Sequence, residues 1–102
     1  MSAKQKKKNK TNARENVAVS FVPDGRGDDQ YWDKNDPGKH TTLNELIEAC
    51  FRDPFKGLGR PEPLKGDLTG YWSRRIDKEH RLVYAYENDT LTVISCRFHY
   101  AK

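Results

Sequence analysis

The chain has 102 residues, enough for one domain with a single modest core, and no apolar run approaches the length that spans a membrane. Its two cysteines, Cys50 and Cys96, stand apart from any close Cys/His cluster, which argues against a structural zinc site and, with no apolar signal segment, predicts a reduced cytoplasmic protein. The net charge of +4 is uneven: basic and acidic side chains number six and one over residues 1–16, four and eight over 17–53, and nine and six over 54–102, so the second half holds the anion-facing surface.

Residues 1–16 are lysine-rich, with Asn and Gln between the charges, and predict a disordered basic tail ahead of a single domain over 17–102. Val17 to Val22 is apolar and β-branched and predicts a first strand buried in a sheet. Asp24 to Asp29, with two glycines and three aspartates, is a poor helix start, so Gln30 to Lys34 predicts only the end of a short helix with Trp32 turned inward. Asp36-Pro37 supplies an N-cap and a first-turn proline, and Leu43, Leu46, Ile47, Cys50 and Phe51 recur at helical spacing, predicting a helix over 37–52 that Asp53-Pro54 ends.

Gly57-Leu58-Gly59-Arg60 reads as a flexible connector. In Pro61-Glu62-Pro63 the second proline pushes Glu62 into an extended conformation, presenting its carboxylate on stiff backbone. Leu64 to Leu68, Tyr71 to Ile76, His80 to Glu87 and Thr90 to Phe98 predict an antiparallel meander, with turns at Asp77-Lys78-Glu79 and Asn88-Asp89. Alternation puts Leu82, Tyr84 and Tyr86 on one face and Arg81, Val83 and Ala85 on the other; if the helices cover the Leu82 face, Arg81 points to the open one. In the last run Ile94, Cys96 and Phe98 fall opposite Leu91, Val93, Ser95 and Arg97.

Glu62, Lys65, Arg75, Arg81, His99 and Tyr100 together supply a base, several fixed cations, an acid and an aromatic ring. Metal-free phosphodiester cleavage uses that set: the base takes the proton of a 2′-hydroxyl, cations stabilise the phosphorane-like transition state, and the acid protonates the departing 5′-oxygen. A 2′-hydroxyl nucleophile restricts the substrate to RNA. Taken singly, each residue also has an ordinary structural reading, as a solvated charge, a terminal histidine or a packing tyrosine.

Four ordered motifs carry a resemblance: Gly59-Arg60-Pro61-Glu62-Pro63-Leu64-Lys65, Gly70-Tyr71-Trp72-Ser73-Arg74-Arg75-Ile76, Glu79-His80-Arg81-Leu82-Val83-Tyr84 and Cys96-Arg97-Phe98-His99-Tyr100. In these the chain resembles the YoeB/Txe toxins of the RelE superfamily of messenger-RNA endoribonucleases, over roughly residues 17–100. The resemblance implies an α+β, compact microbial-ribonuclease-like fold with two N-terminal helices packed on a curved, mainly antiparallel sheet. It also implies a ribosome-dependent endoribonuclease toxin that cleaves translated mRNA in the ribosomal A site without metal or other cofactor. Such a toxin is held inactive by a YefM-type antitoxin, with a homodimer left open. Residue by residue, it implies Glu62 as general base, Arg81 as phosphate-stabilising arginine, His99 as general acid and Tyr100 as the family's terminal tyrosine. Lys65 and Arg75 match positions of phosphate or RNA contact, and Glu79 matches an acidic site residue without an assigned role. The chain departs from the family in its basic tail, in Arg26 and Asp29 where a tryptophan and a tyrosine usually stand, and in Ala101-Lys102 after Tyr100. Those departures keep a second reading in view, a non-cleaving RNA- or ribosome-binding relative of the same fold.

Overall fold

The computed structural model describes residues 18–98; the predicted tail over 1–16, His99 and Tyr100 lie outside the described residues. The elements run β1 (Ala18–Phe21), α1 (Pro23–Asn35), α2 (Pro37–Arg52), β2 (Glu62–Pro63), β3 (Trp72–Arg75), β4 (Arg81–Glu87) and β5 (Thr90–Ser95), with a 3-10 turn at Gly66–Leu68. The strands form one mixed sheet ordered β1-β5-β4-β3-β2, antiparallel throughout except for the parallel β1–β5 pair. The two helices pack on one sheet face, enclosing Trp32, Leu43, Leu46, Ile47, Cys50, Leu82, Tyr84, Leu91, Val93 and Cys96.

Helix α2 follows its sequence signals: the Asp36 carboxylate accepts from the Lys39 N–H at 3.1 Å, and Pro37 opens the first turn. Helix α1 is complete where a poor start was expected, and Gly25 supplies the reason. A Cβ at Gly25 would sit 2.4 Å from the Val93 carbonyl oxygen, so the missing side chain lets α1 lie directly on β5. Trp32 completes the contact by donating its indole N–H to the Cys96 carbonyl at 2.7 Å.

Three other expectations are corrected. Strand β1 is largely exposed, with Val19 at 39%, because it is an edge strand paired only to β5; an apolar run does not distinguish edge from centre. The strand expected over Leu64 to Leu68 is confined to Glu62–Pro63, since Gly66, at φ 64°, turns the chain into the 3-10 segment. In β5, Val83 pairs with Ser95 while Tyr84 pairs with Val93, leaving Ile94 as an extra residue. That bulge reverses the alternation beyond it, so Cys96 joins Leu91 and Val93 in the core rather than lying opposite them.

The segment read as a flexible connector is tied down by Arg74, which is fully buried. Its guanidinium donates to the carbonyls of Leu58 (2.7 Å), Asp53 (2.5 Å) and Lys56 (3.0 Å) and to the Tyr84 hydroxyl (3.2 Å). The Tyr84 hydroxyl in turn donates to the Pro54 carbonyl. Gly59 carries the chain onward at φ 85°, its carbonyl accepting from the Arg75 N–H at 2.6 Å. A Cβ at Gly59 would lie 2.7 Å from Leu46 Cδ2. The stiff Pro61-Glu62-Pro63 segment therefore starts from a fixed base.

Candidate functional site

The site is set by strand register. Glu62 pairs with Ser73, Ser73 with Val83, and Val83 with Ser95, a cross-strand row over four strands. Directly opposed residues share a face, so this row lies on the side away from the helices, whereas Leu82 and Tyr84 point into the core. Two residues further along β3 and β4, Arg75 pairs with Arg81 on the same open face, as the alternation in β4 predicts. The middle of the row is buried, with Ser73 and Val83 each 2% exposed, while Glu62 at its β2 end is exposed. The open face thus carries a carboxylate at the β2 end of the row and two arginines two residues further along β3 and β4. Strand spacing and rise place the Glu62 and Arg81 Cα atoms about 12 Å apart. Lys65 is exposed just past the end of β2 and stands outside the row.

The turn before β4 is built around Asp77. Its Oδ1 accepts from the N–H groups of Glu79 (2.8 Å) and His80 (2.7 Å), and its Oδ2 pairs with Lys39 Nζ of α2 at 2.7 Å. Burial pushes the Asp77 carboxyl up, but the Lys39 hydrogen bond and the two backbone N–H groups outweigh it and hold the pKa at about 2. Arg81 folds against this turn, Nη1 donating to the carbonyls of Asp77 (2.7 Å), Lys78 (3.3 Å) and His80 (3.1 Å). Glu79 is exposed, its carboxylate 3.6 Å from His80 Nε2.

The chain leaving β5 is clamped twice. At Cys96, the N–H donates to Asp28 Oδ2 (3.0 Å) and the carbonyl accepts from Trp32, so α1 holds both backbone groups of one residue. Burial pushes the Asp28 carboxyl above its usual range, against the pull of the Cys96 N–H and of Arg97. At Phe98, the N–H donates to His80 Nδ1 (2.7 Å) and the carbonyl accepts from the Arg81 N–H (3.1 Å). The last described residue is thereby fixed beside Arg81. His80 itself is buried, edge-on to Trp32 with ring centroids 4.8 Å apart.

Of the six residues selected from sequence, the fold brings Glu62, Arg75 and Arg81 together on one face, leaves Lys65 at its margin, and does not describe His99 or Tyr100. Sequence reasoning missed Asp28 and Arg74, although Arg74 alternates with Trp72 and Ile76, which marks a core-facing position. Among the described residues no group of three His, Cys, Asp or Glu side chains could hold a metal ion. Burial pushes the thiols of Cys50 and Cys96 up, which keeps them neutral.

Comparison with known proteins extends this picture. The family described as YoeB-like toxin of bacterial type II toxin-antitoxin system matches residues 21–100. Toxin YoeB of Streptomyces coelicolor is 50% identical over 84 residues, covering 82% of this chain and all of that protein. The solved structure of a YoeB/ParE toxin from Agrobacterium tumefaciens superposes with a TM-score of 0.79 at 45% identity, covering 82% of this chain and all of that one. The Staphylococcus aureus YoeB, 40% identical, has been solved as a heterotetrameric YoeB-YefM complex (TM-score 0.77) and as a dimer (TM-score 0.78), each match covering 82% of this chain and 98% of the other.

Proposed function

The chain belongs to the YoeB-like toxin family of bacterial type II toxin-antitoxin systems, and from that premise we propose that it is a metal-independent endoribonuclease that cleaves translated mRNA in the ribosomal A site. The observation that carries the reading is the register that sets Glu62 on the same open sheet face as the Arg75–Arg81 pair. Glu62 removes the proton of the 2′-hydroxyl, whose oxygen attacks the adjacent phosphorus. Arg81, on a turn braced by Asp77 and Lys39, stabilises the charge of the pentacoordinate transition state. His99 protonates the departing 5′-oxygen, so the products are a 2′,3′-cyclic phosphate and a 5′-hydroxyl. Arg75 and Lys65 hold flanking phosphates, and Tyr100 completes the site.

The assignment of His99 rests on the family resemblance and on its following Phe98 in sequence, whose carbonyl accepts from the Arg81 N–H. The stretch Gly25 to Asp29, which kept a non-cleaving relative in view, folds as part of a full helix that anchors Cys96 through Asp28. Cytoplasmic action on ribosomes and neutralisation by a YefM-type antitoxin follow on the same reading, the latter supported by the solved S. aureus complex. Homodimerisation is likewise supported by the S. aureus dimer. The test is cleavage of translated mRNA on 70S ribosomes by wild type, Glu62→Gln and His99→Gln. Losses of about 10²- to 10⁴-fold in both variants are expected; equal activity in all three overturns the assignment.

A further inference from the structure

Two aromatic residues of the described chain are exposed, and their surroundings differ. Phe55, at 43%, leans on Trp72 with ring centroids 4.8 Å apart, capping the sheet end. Phe98, at 53%, sets one side of its ring against the buried His80 imidazole, centroids 5.7 Å apart, and leaves the rest outward, with both of its backbone polar groups bonded. It adopts φ 65°, in the left-handed region that bulky side chains rarely enter. Such a conformation persists where neighbouring contacts over-determine it, and for a bulky residue it is enriched at functional sites. Here the neighbours are the His80 imidazole, which fixes the Phe98 N–H, and the Arg81 N–H, which fixes its carbonyl. The Arg97 guanidinium lies over the Phe98 ring at 4.5 Å and over the Tyr31 ring of α1 at 3.5 Å. The result is a rigid, half-exposed aromatic surface with a cation against it, on a residue whose backbone carbonyl is bonded to the Arg81 N–H.

Unpaired bases are bound by this combination, an aromatic face for stacking and positive charge for the backbone. Resting on the endoribonuclease reading above, we propose that Phe98 is a stacking platform for a nucleobase next to the scissile phosphate. Arg97 supports the ring and His80 fixes its orientation. Phe98 binds substrate and transfers no proton. Stacking of this kind acts on bound substrate and transition state alike, so its loss raises KM and leaves kcat in place. A merely structural disturbance at Phe98 would instead displace Arg81 and lower kcat.

The experiment uses programmed ribosomes whose A-site codon carries 2-aminopurine, with a 2′-deoxy nucleotide at the attacking position so that the message stays intact. Wild type is expected to quench the fluorescence, Phe98→Tyr to quench it equally, and Phe98→Leu to leave it unquenched. On cleavable message, Phe98→Leu is expected to raise KM about tenfold with kcat unchanged. Should Phe98→Leu fail to fold, a photocrosslinking phenylalanine analogue at position 98 replaces it, with crosslinking to the base expected. The proposal is overturned if Phe98→Leu quenches and cleaves as wild type does, if its loss falls on kcat, or if no crosslink to RNA forms while wild type cleaves. If wild type neither cleaves nor binds, the endoribonuclease reading fails, and this inference with it.

Discussion

Arg74 and Arg75 are adjacent on one strand and inhabit opposite environments. Arg74 faces the helices, is fully buried, and spends its guanidinium on three backbone carbonyls and a tyrosine hydroxyl. Arg75 faces away, is exposed, and pairs in register with Arg81. A cation on the covered face organises a loop, and a cation on the open face is available to a ligand. Basic composition alone does not separate the two roles; strand parity does.

The largest expected effect on stability tests that contrast directly. Arg74→Ala leaves buried carbonyls and the Tyr84 hydroxyl without their partner and should lower unfolding free energy by about 3 to 4 kcal/mol in chemical denaturation. Arg75→Ala should change it by less than about 0.5 kcal/mol. Equal losses would break the comparison. The covered face is tested next at Gly25: Gly25→Ala drives a methyl group into the Val93 carbonyl and should cost about 2 kcal/mol, seen as a lower denaturation midpoint with an unchanged slope.

A smaller effect concerns the turn that carries Arg81. Asp77 has a folded pKa of about 2, below its ordinary 3.8. A depressed carboxylate stabilises the fold above the unfolded value and loses that contribution as pH falls through the folded one. The advantage of wild type over Asp77→Asn should thus be constant above pH ~5, fall steadily below that and vanish near pH ~1, with a plateau of about 1 kcal/mol after allowance for solvent screening. A difference that persists undiminished below pH ~2 would place the stabilisation in the backbone hydrogen bonds rather than the charge. The smallest effect is at Gly27, where a Cβ would meet nothing within 4 Å. Gly27→Ala should raise stability by about 0.5 to 1 kcal/mol, opposite in sign to Gly25→Ala two residues away.

Much of this was legible in the sequence. The Asp36-Pro37 cap and the spacing of Leu43, Leu46, Ile47 and Cys50 gave α2 its bounds, and alternation in β4 placed Arg81 on the open face. What escaped detection depends on the approach of distant segments. Gly25 looks like a helix breaker until the Val93 carbonyl is set against it. Alternation in β5 holds until Ile94, where the bulge reverses it and turns Cys96 inward. Glu62 was found through its prolines, but that it shares a sheet face with Arg81 is a property of register across three strands. Asp28 carried no signal, since its partner is a backbone N–H 68 residues away.

The pairing of the first strand with the last governs when the fold can close. β1 meets β5 with Ala18 opposite Thr90, and α1 grips Cys96. These contacts close loops of about 70 residues, whose entropy must be overcome before the contacts are made. A nascent chain interrupted before β5 therefore has neither a neighbour for its edge strand nor the Phe98 carbonyl beside Arg81. The open-face site is therefore closed by its most distant contacts in sequence, and a change that loosens the β1–β5 pairing reaches Arg81 without touching it.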